Sequence, residues 1–151
     1  MMNTFDFLLQ GWWIRLMRIV YAFLLIVIVV LSLVPTEESV PGSNLIFGFL
    51  AELLLGSADH ADKMSHMLAY AAITGVGMLG IIRPLGRFLL LPVSMLLLSG
   101  LLELGQGAIA GRTPDMMDFL ANLVGVATGA VVAGFLLMLA RQQAQRKQPA
   151  L

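Results

Sequence analysis

The chain contains no cysteine. That excludes disulfides, thiol nucleophiles, iron–sulfur clusters and cysteine-ligated zinc. Charge is also scarce: Asp, Glu, Lys and Arg make up 12% of the 151 residues, about half their share in a soluble domain. Nine basic residues balance nine acidic ones, so no net field draws the chain to nucleic acid. So few charges cannot clothe the surface of a soluble domain of this length. What fills their place is apolar: 59% of the residues are hydrophobic and the mean hydropathy is +0.91. These residues sit in long runs, which points to a bilayer. Strand-like alternation is absent, and an open sheet edge in lipid would leave backbone groups unsatisfied. The class is an all-α integral membrane protein.

Four apolar stretches, each near the roughly 20 residues a helix needs to cross ~30 Å of hydrocarbon, predict a four-transmembrane-helix bundle in a single domain spanning 1–151. They run from about 13 to 34, 64 to 82, 88 to 110 and 116 to 140. Arg15 and Arg18 precede the core of the first, which raises the question of a cleavable signal. No A-x-A site follows it, and its length suits a full span, so a retained signal-anchor is expected. Trp12 and Trp13 stand where an interfacial aromatic anchor belongs.

If the N-terminus is cytoplasmic, Arg15, Arg18, Arg83, Arg87, Arg141, Arg146 and Lys147 all lie inside, leaving only Lys63 and Arg112 outside. The positive-inside rule then predicts a multi-pass protein of a bacterial inner membrane with both termini cytoplasmic. The polar tail 141–151 is expected to fray. Within the outer loop, 35–62, a run over 44–57 is too short to span. It predicts an interfacial or re-entrant helix, capped by Ser43 or Asn44 and closed by Gly56, acting as a roof, a lid or a docking element.

The informative residues are polar ones in apolar surroundings. Asp62 and His66 stand four apart and share a helix face. Ser99, Glu103 and Gln106 share another. Asp118, Asn122, Gly125 and Gly129 fall within about 60° of one another at helical spacing. Glu103 lies ~22 Å along its helix from residue 88, and Asp118, Asn122 and His66 lie within about two turns of the same outer boundary. A charge at mid-membrane costs roughly 3 kcal/mol on insertion scales, which turns such groups inward. Gly125 and Gly129 form a G-x-x-x-G pair suited to close helix packing.

The segments SLVP at 32–35, DKMSHMLAY at 62–70, ELGQ at 103–106 and GRTPDMMDFLANLVGVATG at 111–129 together resemble the VanZ-like family of bacterial membrane proteins. The family pattern falls on Asp62, Lys63, His66, Tyr70, Glu103, Gln106, Arg112, Asp118, Asn122, Gly125 and Gly129, and the resemblance covers roughly 30 to 135. The family is named for a member linked to resistance to the glycopeptide teicoplanin. The resemblance implies a cell-envelope protein and brings no agreed enzymatic activity.

Several chemistries fit these residues. His66 can act as a base with Asp62, Glu103 or Asp118 orienting it, so His66, Glu103 and Asp118 are the catalytic candidates. A metal on His66, Glu103 and Asp118, with His60, would be of the zinc or manganese kind, but no metal-ligand spacing supports it. No metal or other cofactor is therefore expected. Lys63 and Arg112 can receive an anionic headgroup, within a ligand-binding set of Lys63, His66, Glu103, Gln106, Arg112, Asp118 and Asn122. The plainest alternative is a self-satisfied network in which Asp62, Asp59, Asp115 and Asp118 neutralise those cations and lock three helices. Three functions follow. One is an envelope protein that binds a lipid headgroup, a lipid-linked cell-wall precursor or a glycopeptide antibiotic. The others are an accessory subunit packed against a larger membrane complex and a small intramembrane enzyme acting on an envelope lipid. The expected partners are membrane lipids, a lipid-linked substrate or partner subunits, and not nucleic acid.

Overall fold

The computed structural model describes residues 8, 10–33, 43–57, 60–81, 88–109 and 113–146. Among these residues are five α-helices and no strand: α1 (Gly11–Leu33), α2 (Ser43–Leu55), α3 (Ala61–Ile81), α4 (Leu90–Gln106) and α5 (Met116–Arg146). Helices α1, α3 and α5 are long and apolar enough to cross a membrane. Helix α4 has 17 residues, which gives about 25 Å of rise. It is shorter than the 88–110 span expected from the apolar run. Gly105 and Gly107 weaken its end, and the chain turns there through hydrogen bonds from Ala108 N to Gly105 O and Ile109 N to Gln106 O, both 3.0 Å.

Helix α5 departs from expectation in the other direction. The polar segment after residue 140 does not fray but continues the helix to Arg146. Arg, Gln and Ala are good helix formers, and no glycine or proline interrupts the run before Pro149. Gly56 closes α2 with a positive φ of 78°, and its N–H donates to Glu52 O at 3.1 Å. Glycine adopts that conformation without the Cβ penalty. The side chains of Ser43 and Asn44, the expected caps of α2, lie outside the described residues, as do residues 34–42.

The contact between α3 and α5 is the most extensive in the bundle, and α1, α2 and α4 pack around this pair. Small residues bring the two backbones together. A Cβ on Gly125 would overlap the Met67 carbonyl oxygen and lie 3.1 Å from Ala71 N. One on Gly129 would overlap the Ala71 carbonyl oxygen and lie 3.0 Å from Gly75 N. The register (Met67 beside Gly125, Ala71 beside Gly129) makes α3 and α5 parallel. Helix α1 runs antiparallel to α3: Arg18 Nε donates to Gly80 O at 2.9 Å, satisfying a carbonyl at the end of α3 that has no partner within the helix. At the other end of α1, Gln106 Nε2 donates to Ser32 O at 3.2 Å, which ties the end of α4 to it.

The core of the bundle is apolar, with Ile73, Met78, Met95 and Val126 buried at its centre. Large apolar side chains also cover the outside, including Ile19, Phe23, Ile26 and Val30 on α1 and Leu97, Leu101 and Leu104 on α4. Such a surface suits lipid rather than water. Among the described residues the buried polar ones are Thr74, Ser99, Glu103, Gln106, Asp118 and Asn122. All but Thr74 lie where α3 and α5 begin and α4 ends.

Candidate functional site

Three helix ends build the polar cluster. The first two turns of α3 carry Asp62, Lys63 and His66. Helix α5 enters beside it with Asp115 directly before its first residue, then Asp118 and Asn122. The last two turns of α4 bring Ser99 and Glu103. Asp115 caps α5: its Oδ1 accepts the Met117 N–H at 2.8 Å, and its carbonyl accepts the Asp118 N–H at 3.0 Å. This is the bond pattern of an acidic N-cap.

Lys63 is enclosed by carboxylates. Its ammonium donates to Asp115 Oδ2 at 2.6 Å, to Asp118 Oδ1, and to Asp62 Oδ2 at 3.4 Å. The ammonium therefore joins α3 to the start of α5. The Lys63 hydrogen bond and the Met117 N–H hold the Asp115 carboxyl below its ordinary value. Asp115 N–H in turn donates to Glu103 Oε1 at 2.5 Å, linking α4 to the same point.

His66 is oriented by a separate relay. Asn122 Nδ2 donates to Ser99 Oγ at 2.9 Å, and the Tyr70 hydroxyl is also hydrogen-bonded to Ser99. With its NH2 group so engaged, Asn122 turns Oδ1 toward the imidazole, 3.2 Å from His66 Nδ1. The hydrogen-bond pattern thus makes Nδ1–H the donor to Asn122 and turns Nε2 toward the solvent edge. Nε2 lies 3.8 Å from Asp62 Oδ1 and 3.8 Å from Asp118 Oδ2. Asn122 and Ser99 are almost fully buried, whereas Asp62 is exposed. The relay therefore runs from the packed interior to the solvent edge.

Lys63, His66, Glu103, Asp118 and Asn122 belong to this one cluster. Gln106 does not: its amide is spent on Ser32 in α1. Arg112 lies outside the described residues, as does Asp59. His60 is exposed, and the ligand atoms that converge with His66 come from Asp62 and Asp118, not from Glu103 or His60. Glu103 is taken up by the Asp115 backbone instead. Gly125 and Gly129 sit at the α3–α5 contact. Sequence reasoning gave too little weight to three residues. Asp115 carries the signal of a helix cap, following Thr113-Pro114 and preceding an apolar run. Asp62 stands one turn before His66. Ser99 stands one turn before Glu103, and only its partner, Asn122, shows what it does.

Chemically, the described cluster holds four carboxylates (Asp62, Asp115, Asp118, Glu103) against one ammonium. With Lys63 already shared among three of them, it is built to receive a positive charge or a hydrogen-bond donor. Comparison with protein-family models, with curated proteins and with solved structures finds no match to this chain.

Proposed function

We propose that this chain is a VanZ-like cell-envelope protein of a bacterial inner membrane. In this reading α1, α3, α4 and α5 cross the bilayer, both termini are cytoplasmic, and the polar cluster lies at the outer boundary. There it engages the polar head of an envelope lipid or of a lipid-linked cell-wall precursor. The three long apolar helices support the membrane assignment, and the 17 residues of α4 meet the lower limit for a tilted or locally thinned span. The observation that carries the functional reading is the Ser99–Asn122–His66 relay, which presents an oriented imidazole between two carboxylates at the solvent edge.

The bonding of Lys63 changes the recognition expected from sequence. Its charge is balanced within the protein, so it positions Asp118 and Asp115 and is not a free receptor for phosphate. The ligand's hydroxyl or amine groups meet the carboxylates and His66. The outward placement of Nε2 between two carboxylates favours a second reading, that of an enzyme with His66 as general base toward a hydroxyl on an envelope lipid.

Native mass spectrometry of the protein, gently extracted from its own membrane, tests the proposal. A lipid or lipid-linked sugar bound at one per chain, and lost on His66→Gln, is the expected result. Stoichiometric partner chains with no such ligand would instead make this an accessory subunit. Orientation is checked on the cysteine-free background by labelling single cysteines with an impermeant maleimide. Thr113→Cys should react in intact cells, and Gln142→Cys only after permeabilisation.

A further inference from the structure

We infer that Asp62, His66 and Asp118 form a site for a divalent cation of the zinc or manganese class, where α3 and α5 begin. The inference rests on the reading that this cluster is the protein's working site. One ligand atom from each residue lies within 4.8 Å of the other two. The 3.8 Å from His66 Nε2 to each carboxylate is beyond hydrogen-bond reach. Two ligands each ~2.1 Å from a shared ion stand about 3.4 Å apart in tetrahedral geometry. The two His66–carboxylate gaps thus exceed that separation by ~0.4 Å, the Asp62–Asp118 pair stays within 4.8 Å, and the exposed Asp62 side chain is the member that can move inward.

Three further features fit a cation rather than a simple ion pair. The first is the relay. A metal-ligating histidine needs its other ring N–H held by a second partner, and here Asn122 holds it while Ser99 fixes the amide. The second is the division of carboxylate oxygens. Lys63 takes Asp62 Oδ2 and Asp118 Oδ1, whereas His66 faces Asp62 Oδ1 and Asp118 Oδ2. The ion and the lysine thus use different oxygens of the same two groups and do not compete for ligands. The third is charge, since among the described residues four carboxylates face one ammonium. One imidazole nitrogen, carboxylate oxygens and no sulfur select zinc or manganese. Asp62, on the solvent side, leaves a coordination position open to a ligand's hydroxyl or phosphate.

The test uses the full chain in nanodiscs of zwitterionic phosphatidylcholine, stripped with EDTA and titrated with Mn2+ while free ion is followed by EPR. We expect one Mn2+ per chain, displaced by Zn2+. Asp62→Asn, at an exposed position where folding is unaffected, should weaken binding at least tenfold, and His66→Gln should do the same. Absence of saturable binding, or Asp62→Asn binding like the parent, would overturn the inference. So would nitrogen NMR showing a doubly protonated His66 at neutral pH with saturating diamagnetic Zn2+ present. Native mass spectra taken with EDTA and with Mn2+ separate this from the reading beneath it. A lipid retained by a chain that binds no metal overturns the cation site alone. A bound metal with no lipid or lipid-linked ligand under either condition overturns headgroup recognition alone.

Discussion

Replacing Gly125 by alanine adds one methyl group at the closest approach of α3 and α5. That Cβ would overlap the Met67 carbonyl oxygen, lie 3.0 Å from its carbonyl carbon and lie 3.1 Å from Ala71 N. All three are backbone atoms, so no side-chain rotation relieves the contact and one helix must retreat. Reaching the 3.3–3.6 Å of an ordinary carbon–oxygen approach requires about 1 Å. Overpacking of this kind costs roughly 1–3 kcal/mol, or about 2–12 °C in Tm at 2–4 °C per kcal/mol for a chain of this size. The shift also reaches the polar cluster, because a 1 Å separation takes the 3.2 Å contact between His66 and Asn122 beyond hydrogen-bond range. The control is Gly75→Ala in the same interface, whose Cβ would sit 3.7 Å from Gly129 O, an ordinary van der Waals distance. Thermal unfolding in detergent, followed by tryptophan fluorescence, should show a loss for Gly125→Ala and little change for Gly75→Ala. Equal Tm values for the two variants would refute the claim that backbone contact at Gly125 holds the pair together.

Other perturbations have equally definite outcomes. Lys63→Met should destabilise the protein by about 1–3 kcal/mol, between the limits for exposed and buried ion pairs, because Asp118 stays largely buried without its cation; chemical unfolding measures it. Asn122→Leu breaks the relay at both ends; His66 Nδ1 loses its partner while Ser99 keeps Tyr70, for a loss of about 1–3 kcal/mol from the one orphaned group. Serine 99 changed to alanine in that background should then cost less than it does alone, a coupling read from a double-mutant cycle. Arg18→Ala removes the donor to Gly80 O and should cost about 1 kcal/mol, with no effect on the polar cluster at the other end. The Asp115 carboxyl is held below its ordinary 3.8 by Lys63 and the Met117 N–H. Its stabilising contribution is therefore complete above the unfolded value and is lost as pH falls through the lower native one. Asp115→Asn should flatten the acid limb of a Tm-versus-pH curve; an unchanged limb would refute this.

Much of this architecture can be read from the chain, for a simple reason. In an apolar solvent the backbone must satisfy itself, so apolar runs become helices and locate α1, α3 and α5 to within a few residues at most of their ends. The ends that differ are those decided by local propensity. Glycines shorten α4, and the Arg/Gln/Ala composition carries α5 on to Arg146. The candidate site was partly legible for a related reason: spacing of four puts Asp62 with His66 and Asp118 with Asn122 on shared faces. Spacing within one helix cannot tell which group on another helix a side chain meets. Glu103 therefore looked like a partner for His66, whereas its carboxylate accepts a backbone N–H at the head of α5. For Lys63 the spacing leaves both an anionic ligand and neutralisation by nearby aspartates open, and the structure pairs it with Asp62, Asp115 and Asp118.

The parallel alignment of α3 and α5 has an electrostatic consequence for the cluster. Each helix carries the equivalent of about half a positive charge at its N-terminus and half a negative one at its C-terminus. Both positive poles open onto the carboxylates of Asp62, Asp115 and Asp118, so two helix dipoles supplement Lys63 in offsetting the acid excess. At the far end the poles are negative, and there Arg18 reaches the last turn of α3 while Arg146 lies in the last turn of α5. Gly125 and Gly129 thus do more than permit close packing. They keep two dipoles side by side and in phase, so a substitution that splays the helices would disturb the charge balance at both ends of the bundle.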